Sequence, residues 1–287
     1  MSESSLSSTV PASMQSTGYG AIEPISEGEF NRFRALIYDV AGIAMSPEKK
    51  TLVAGRLAKR VAHYSLKNFS QYYRLIQSNK YPEEFQIMVD LLTTNETYFF
   101  REPQHFDFLR EQLSEYKSSH SLRVWSAACS SGEEVYSLAM LLADIMGQSP
   151  WEVHGSDISS KVLQSCRRGI YPLARTGKMP QALLHKYCLK GVRSQEGMFL
   201  IDRSLRSRCY FHQINLMEAL PDIGLFDVIF IRNVMIYFDN QGKVKVINQL
   251  LNHLRPGGLL FVSHSETLHG ISNSVTMLKP SIYRKVL

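Results

Sequence analysis

The 287-residue sequence is sparing in cysteine: it has four, Cys129, Cys166, Cys188 and Cys209, at spacings of 37, 22 and 21 residues. No CxxC pair and no Cys/His cluster of metal-ligand spacing results, so a zinc-stapled or disulfide-framed chain is excluded and the thiols are expected to be reduced. No uninterrupted apolar run approaches the roughly 18 residues that span a bilayer, so membrane insertion is not expected. The first twenty residues contain no Lys or Arg and thus lack the basic segment of a secretory signal. A cytoplasmic protein is the expectation. Self-similarity at a period of roughly 20 to 50 residues is also missing, which excludes solenoids and propellers.

What is present is the composition of one large or two modest folded domains, 44% hydrophobic and 20% charged. Residues 1–24 hold seven Ser before position 20 and few large apolar side chains, so they are expected to form a disordered tail. From Ile25 the pattern turns helical. Ser26 with Glu29 is a capping-box signature, Phe30, Phe33, Leu36, Ile37 and Val40 recur at helical spacing, and further helices are expected at about 47–64, 68–78 and 82–92. Residues 25–92 therefore read as an all-α N-terminal domain. After about residue 120, short β-rich runs (Leu122 to Ala128, Trp151 to Gly155, Phe226 to Ile231, Leu259 to Ser263) alternate with helical segments such as Glu133 to Met146. That alternation predicts an α/β domain with a parallel sheet over the remainder of residues 93–287. At about 187–214 the rhythm breaks, with alternating runs at Met198 to Asp202 and Cys209 to Ile214 behind the turn Arg193 to Gly197. The whole stretch is expected to be a small antiparallel insertion.

Charge is unevenly spread. The chain carries a net +6, yet residues 49–82 contain eight Lys or Arg and no acid, which leaves the rest at −2. The expectation is a nearly neutral protein with one basic element. On a helix, Lys49, Arg56, Lys59, Arg60 and His63 share a face opposite Ala54, Leu57, Ala58, Val61 and Ala62. A solvated exterior and a docking surface for an anionic partner both fit, although unmixed charge of one sign favours the second.

The segment Ser121 to Met140 reads as strand, small-residue loop and helix, which in open α/β sheets is a ligand position. With a single glycine, Gly132, it is not a pyrophosphate cradle, and Glu133 or Glu134 at the helix start would repel phosphate but pair with an ammonium; both acids would also suit the helix dipole. Asp157, at the end of the second strand, is placed to accept from both hydroxyls of a ribose, or merely to cap the next helix. An ammonium site, a ribose acid and no phosphate cradle are the requirements of S-adenosylmethionine.

Six segments in order resemble the bacterial chemotaxis receptor methyltransferases, the CheR family: Thr94 to Glu102, Trp125 to Glu134, Ser156 to Ile158, Asn215-Leu216, Phe226 to Phe238 and Leu254 to Glu266. The resemblance covers about residues 25–287. It implies a Rossmann-like S-adenosylmethionine-dependent methyltransferase domain with a small antiparallel β insertion, behind the all-α domain. It further implies that Asn95, Thr97 and Arg101 reach the cofactor from the interdomain linker, that Glu134 holds the ammonium and Asp157 the ribose, and that Asn215, Leu216, Arg232 and Asn233 close around the remainder. Arg101 and Tyr237 would face a substrate glutamate. No metal and no nucleic acid is called for. Val135 stands where the family commonly has proline and Ile231 where it commonly has cysteine, and neither change removes a proposed ligand.

The implied partners are the acidic helices of receptor cytoplasmic domains, docked on Lys49, Arg56, Lys59 and Arg60, and a receptor C-terminal peptide added to the β insertion as in some members. The implied products are a glutamate methyl ester and S-adenosylhomocysteine. A nucleic-acid methyltransferase would also use a basic patch, but an Asn/Asp-Pro-Pro-Tyr/Phe motif is missing, and Arg232 to Tyr237 stands in its place. A cofactor-binding module without catalysis is the reading from another class.

Overall fold

The computed structural model describes residues 22–78, 80–114, 120–147 and 149–286. Nearly all of the Ser-rich tail lies outside the described residues.

The N-terminal part contains α1 (Glu27–Ala41), α2 (Lys50–His63), α3 (Phe69–Gln77) and α4 (Pro82–Leu92). Helix α1 starts where the sequence signals it. Ser26 N donates to Glu29 Oε2 at 2.9 Å, and Glu29 N returns to Ser26 Oγ. It stops at Gly42, whose φ of 67° suits a residue without Cβ. Phe30, Phe33, Ile37, Val53, Leu57, Val61 and Tyr72 form a fully buried core. Into this core α4 places the wholly buried Glu84, which accepts from Arg60 Nε at 2.7 Å, Tyr72 Oη at 2.8 Å and Tyr64 Oη at 3.0 Å. Burial raises its pKa, but these bonds outweigh it and hold the carboxyl below its ordinary value.

Helix α5 (Pro103–Leu113) leads into β1 (Leu122–Ala127), α6 (Glu133–Met146), β2 (Trp151–Asp157) and α7 (Ser160–Arg168). Then come β3 (Ile170–Pro172), α8 (Gln181–Tyr187), β4 (Cys188–Lys190), β5 (Met198–Ile201), α9 (Arg203–Arg206) and β6 (Cys209–Gln213). The chain closes with β7 (Phe226–Phe230), α10 (Asn240–His253), β8 (Leu254–Phe261), β9 (Val275–Lys279) and β10 (Ile282–Lys285). The main sheet has the order β6-β2-β1-β7-β8-β10-β9; β10 runs antiparallel to both neighbours, and the other pairs are parallel. Order reverses at β1, so the carboxyl ends of β1, β2 and β7 open onto one crevice, the usual ligand position in such sheets.

The expected antiparallel insertion needs correction. The small sheet is β3-β5-β4 and thus begins at Ile170, whereas β6, assigned to the insertion from its alternation, pairs in parallel with β2 as an edge of the main sheet. Alternation records a strand with two unlike faces and not its partner. All four cysteines are free thiols. Among the described residues no helix is long and apolar enough to cross a membrane.

Candidate functional site

A cavity of about 380 Å³ opens at the ends of β1, β2 and β7, within the range of small-molecule sites. Its walls come from both parts of the chain, with Lys49, Leu52 and Arg56 of the helical part facing Glu134, Asp157, Asn233 and Tyr237. Asn95, Thr97, Arg101, Asn215, Leu216 and Arg232 also line it, so every residue expected at the cofactor or the reacting centre reaches one space.

The loop after β1 is held in an uncommon conformation. Ala128, Ser130 and Gly132 take positive φ of 70°, 51° and 96°, which for Ala128 and Ser130 is a cost borne only where surroundings fix the backbone. A Cβ on Gly132 would lie 2.9 Å from Cys166 Sγ and Tyr171 Oη, which explains the single glycine. Val135 packs over Gly155, where an added Cβ would come within 2.8 Å of Val135 Cγ2.

The two acids of α6 part company. Glu133 turns away from the cavity, accepts from Arg175 Nη1 at 2.7 Å and Ser131 Oγ at 2.6 Å, and is wholly buried. Glu134 lines the cavity, with Oε1 accepting from Ser126 Oγ and Oε2 from Arg232 Nε, both at 2.7 Å. A carboxylate has about four lone-pair positions, so Glu134 keeps capacity for an ammonium. Asp157 is held likewise, by Ser130 N and Ser159 N at 2.9 Å each. Burial pushes its pKa up against those two bonds, a cost that hydroxyl donors on a ligand would reduce. Capping of α7 falls to Ser159.

Arg232 is an anchor as much as a wall. Besides Glu134 it bonds Arg101 O at 2.7 Å, and its Nη1 lies 3.0 Å from His105 Nδ1 and 3.5 Å from Glu102 Oε2. Glu102, His105 and His264 bring three potential metal-ligand atoms within 4.8 Å of one another, but this guanidinium already serves two of them. Arg101 donates to Glu96 O at 3.0 Å and lies over the Tyr98 ring, and among the described residues it has no carboxylate partner. Phe99 and Phe100 are core residues, as is Ile231 in the position of the family's cysteine. Asn215 spends its amide on Val40 O at 2.6 Å and Glu218, tying α1 to the sheet domain beside the cavity. Asn233 stands at φ 58°, which asparagine tolerates better than most residues.

The basic face is narrower than its periodicity implies. Arg60 is spent on Glu84, which corrects its expected place among free docking cations. Arg56 donates to Leu92 O and Thr93 O at 3.1 and 3.0 Å and borders the cavity from there. Lys49 and Lys59 remain exposed. Nor is this face alone. Residues 161–208 hold eleven Lys or Arg against Glu196 and Asp202, a signal legible in the sequence but diluted by its length.

Comparison with known proteins follows the same division. A family model described as the all-alpha domain of CheR methyltransferase matches residues 28–93, and one described as its SAM-binding domain matches residues 95–283. The chemotaxis protein methyltransferase of Escherichia coli (strain K12) is 37% identical over 262 residues, spanning 90% of this chain and 91% of that protein. Chemotaxis protein methyltransferase 2 of Pseudomonas aeruginosa is 37% identical over 282 residues, 96% and 99% of the two chains. The corresponding protein of Borreliella burgdorferi is 35% identical over 273 residues, 91% and 95%.

Proposed function

The chain belongs to the CheR methyltransferase family, and we propose that it methylates side-chain carboxylates of glutamates on chemotaxis receptors, giving methyl esters that adjust chemosensory signalling. The observation that carries this reading is the shared cavity, where the basic α2 borders the same space as Glu134 and Asp157. A substrate attracted by Lys49 and Arg56 arrives at the place suited to the cofactor.

S-adenosylmethionine supplies an electrophilic methyl group on a sulfonium and leaves as S-adenosylhomocysteine. The cavity fits it chemically: Glu134 offers acceptor capacity for the ammonium and Asp157 for the ribose, and no metal is required by the reaction. A substrate glutamate is already ionised at neutral pH, because its pKa is near ~4.3, so the protein need provide no general base. Its residues have to position. Arg101, whose guanidinium is bonded only in part, orients the incoming carboxylate, and the Tyr237 hydroxyl gives one directing hydrogen bond. Alignment of reacting atoms at ~3–3.5 Å supplies much of the rate.

Receptor helices dock through Lys49 and Lys59, with Arg56 at the rim; Arg60 is left out of this surface. A receptor C-terminal peptide adds to the small sheet at β4, an edge strand with Leu189 and Val192 exposed beside it. Labelled S-adenosylmethionine incubated with a receptor fragment and, separately, with RNA or DNA tests the reaction. Alkali-labile label on the fragment is expected. Alkali-stable label, or label on nucleic acid, would displace carboxylate methylation.

A further inference from the structure

A second cavity, of about 360 Å³, lies away from the first, where α7, α9 and β6 meet. Arg167, Arg203 and Arg206 line it together with Ser207, and its apolar wall is made by Tyr136 and Phe211. Three guanidiniums on one recess repel one another unless carboxylates intervene, and among the described residues none of the three is in a salt bridge and no acid lines the recess. The neighbouring acid, Asp202, forms no salt bridge with them: its Oδ1 accepts from Ser204 N at 2.8 Å and from the Ser204 hydroxyl, and the charge of Arg206 is the last of the causes that lower its pKa. Arg167 stands in the last turn of α7 and Arg203 and Arg206 in that of the four-residue α9, where a helix dipole favours cations, but the dipole by itself does not bring three guanidiniums to one recess.

The recess is also built. Arg206 is braced by Nε donating to Ile201 O at 3.0 Å, and its stem lies against Gly169, where a Cβ would come 2.7 Å from Arg206 Cδ. Arg167 is braced by Nη2 donating to Phe211 O at 3.1 Å. Each keeps further N–H donors. Arg203 is exposed, and its guanidinium donates no hydrogen bond among the described residues, so its fork is free. Braced arginines with spare donors and no carboxylate in the lining match a tetrahedral oxyanion, which guanidinium groups bind by paired, charge-assisted bonds; the Ser207 hydroxyl is already donated to Ser204 O at 3.1 Å.

We propose that this recess is a binding site for the phosphate group of a small molecule, separate from the methyl-transfer cavity. The half-buried Phe211 in the lining is the apolar contact that a nucleoside attached to that phosphate would use, while inorganic phosphate would use the arginines alone.

The test is calorimetric titration of the full chain with inorganic phosphate, pyrophosphate and a nucleoside monophosphate at constant ionic strength. Saturating S-adenosylhomocysteine keeps the methyl-transfer cavity out of the measurement. Saturable one-to-one binding is expected. Arg203→Ala should weaken it roughly tenfold, the value of a charge-assisted hydrogen bond, and Arg203→Ala with Arg206→Ala should abolish it. Because Arg206 also braces Ile201, the single Arg203→Ala variant, with wild-type melting temperature and methyl transfer, is the decisive one. Tighter binding of the nucleoside monophosphate than of either inorganic ion identifies a nucleotide ligand, and equal binding identifies free phosphate. No saturable binding of any of the three, or equal affinity in wild type and Arg203→Ala, overturns the site.

Discussion

Arg232 Nε lies 2.7 Å from Glu134 Oε2, joining the chain just beyond β7 to the first turn of α6 through an ion pair almost wholly shielded from solvent. Ninety-eight residues separate the partners. The pair fixes the carboxylate that faces the cavity, and through Arg101 O and His105 the same guanidinium fixes the linker. Arg232→Ala would leave a buried carboxylate unpaired and is expected to cost about 3–5 kcal/mol in urea unfolding. Arg232→Lys should recover only part, since one ammonium cannot replace a fork that bonds in three directions. A loss below ~1 kcal/mol would show the pair to be solvated in solution.

Glu133 and Glu134 are adjacent yet should behave differently. Glu134→Gln is expected to weaken S-adenosylhomocysteine binding by roughly tenfold or more, the scale of one charge-assisted hydrogen bond. Glu133→Gln should leave that affinity near wild type and instead lower the melting temperature by loosening Arg175. Equal losses of affinity in calorimetry would remove the distinction.

Arg101→Ala and Tyr237→Phe are expected to reduce turnover more than cofactor affinity, because both are assigned to the substrate carboxylate. Initial rates with a receptor fragment, set beside calorimetry, measure the split. Near-wild-type turnover in Arg101→Ala would withdraw its role.

Charge reversal on α2 should separate docking from folding. Lys49→Glu with Lys59→Glu is expected to raise KM for the receptor fragment, increasingly so at low salt, without altering cofactor binding. Arg60→Glu should instead lower the melting temperature, since it sets a second carboxylate against the buried Glu84. An unchanged KM in the double variant would argue against receptor docking on this face.

Burial first, and then the charges of Arg232 and His264, push the His105 pKa down to about 3. Its value in the unfolded chain is near ~6.5. The unfolded state therefore takes up the proton more readily, so this contribution to stability is fully present above about pH 6.5 and is lost as pH falls toward 3. His105→Gln, which preserves a donor and an acceptor without titrating, should make the decline in urea midpoint shallower between roughly pH 6 and 4. Superimposable pH profiles would show that His105 does not contribute.

The sequence by itself determined what depends on a few neighbouring residues. The Ser26–Glu29 box, the span of α6 from Glu133 to Met146 and the strands at Leu122, Trp151 and Phe226 all follow from caps and periodicity within a turn or two. The order of motifs along the chain likewise indicated the family and the cofactor loop. Tertiary structure decided the rest, because it concerns partners distant along the chain. Alternation from Cys209 to Gln213 could not say that β6 would lie parallel to β2, since that pairing needs Val153 to Asp157 beside it. A helical wheel put Arg60 on a solvent face, but Glu84, 24 residues on, neutralises it in the core. The resemblance pointed to Glu134 of two consecutive glutamates, and the fold supplies the physical reason: Arg175 holds Glu133, while Arg232 holds Glu134 at the cavity. Spacing encodes which face a side chain occupies; only the closed fold sets which opposite charge waits there.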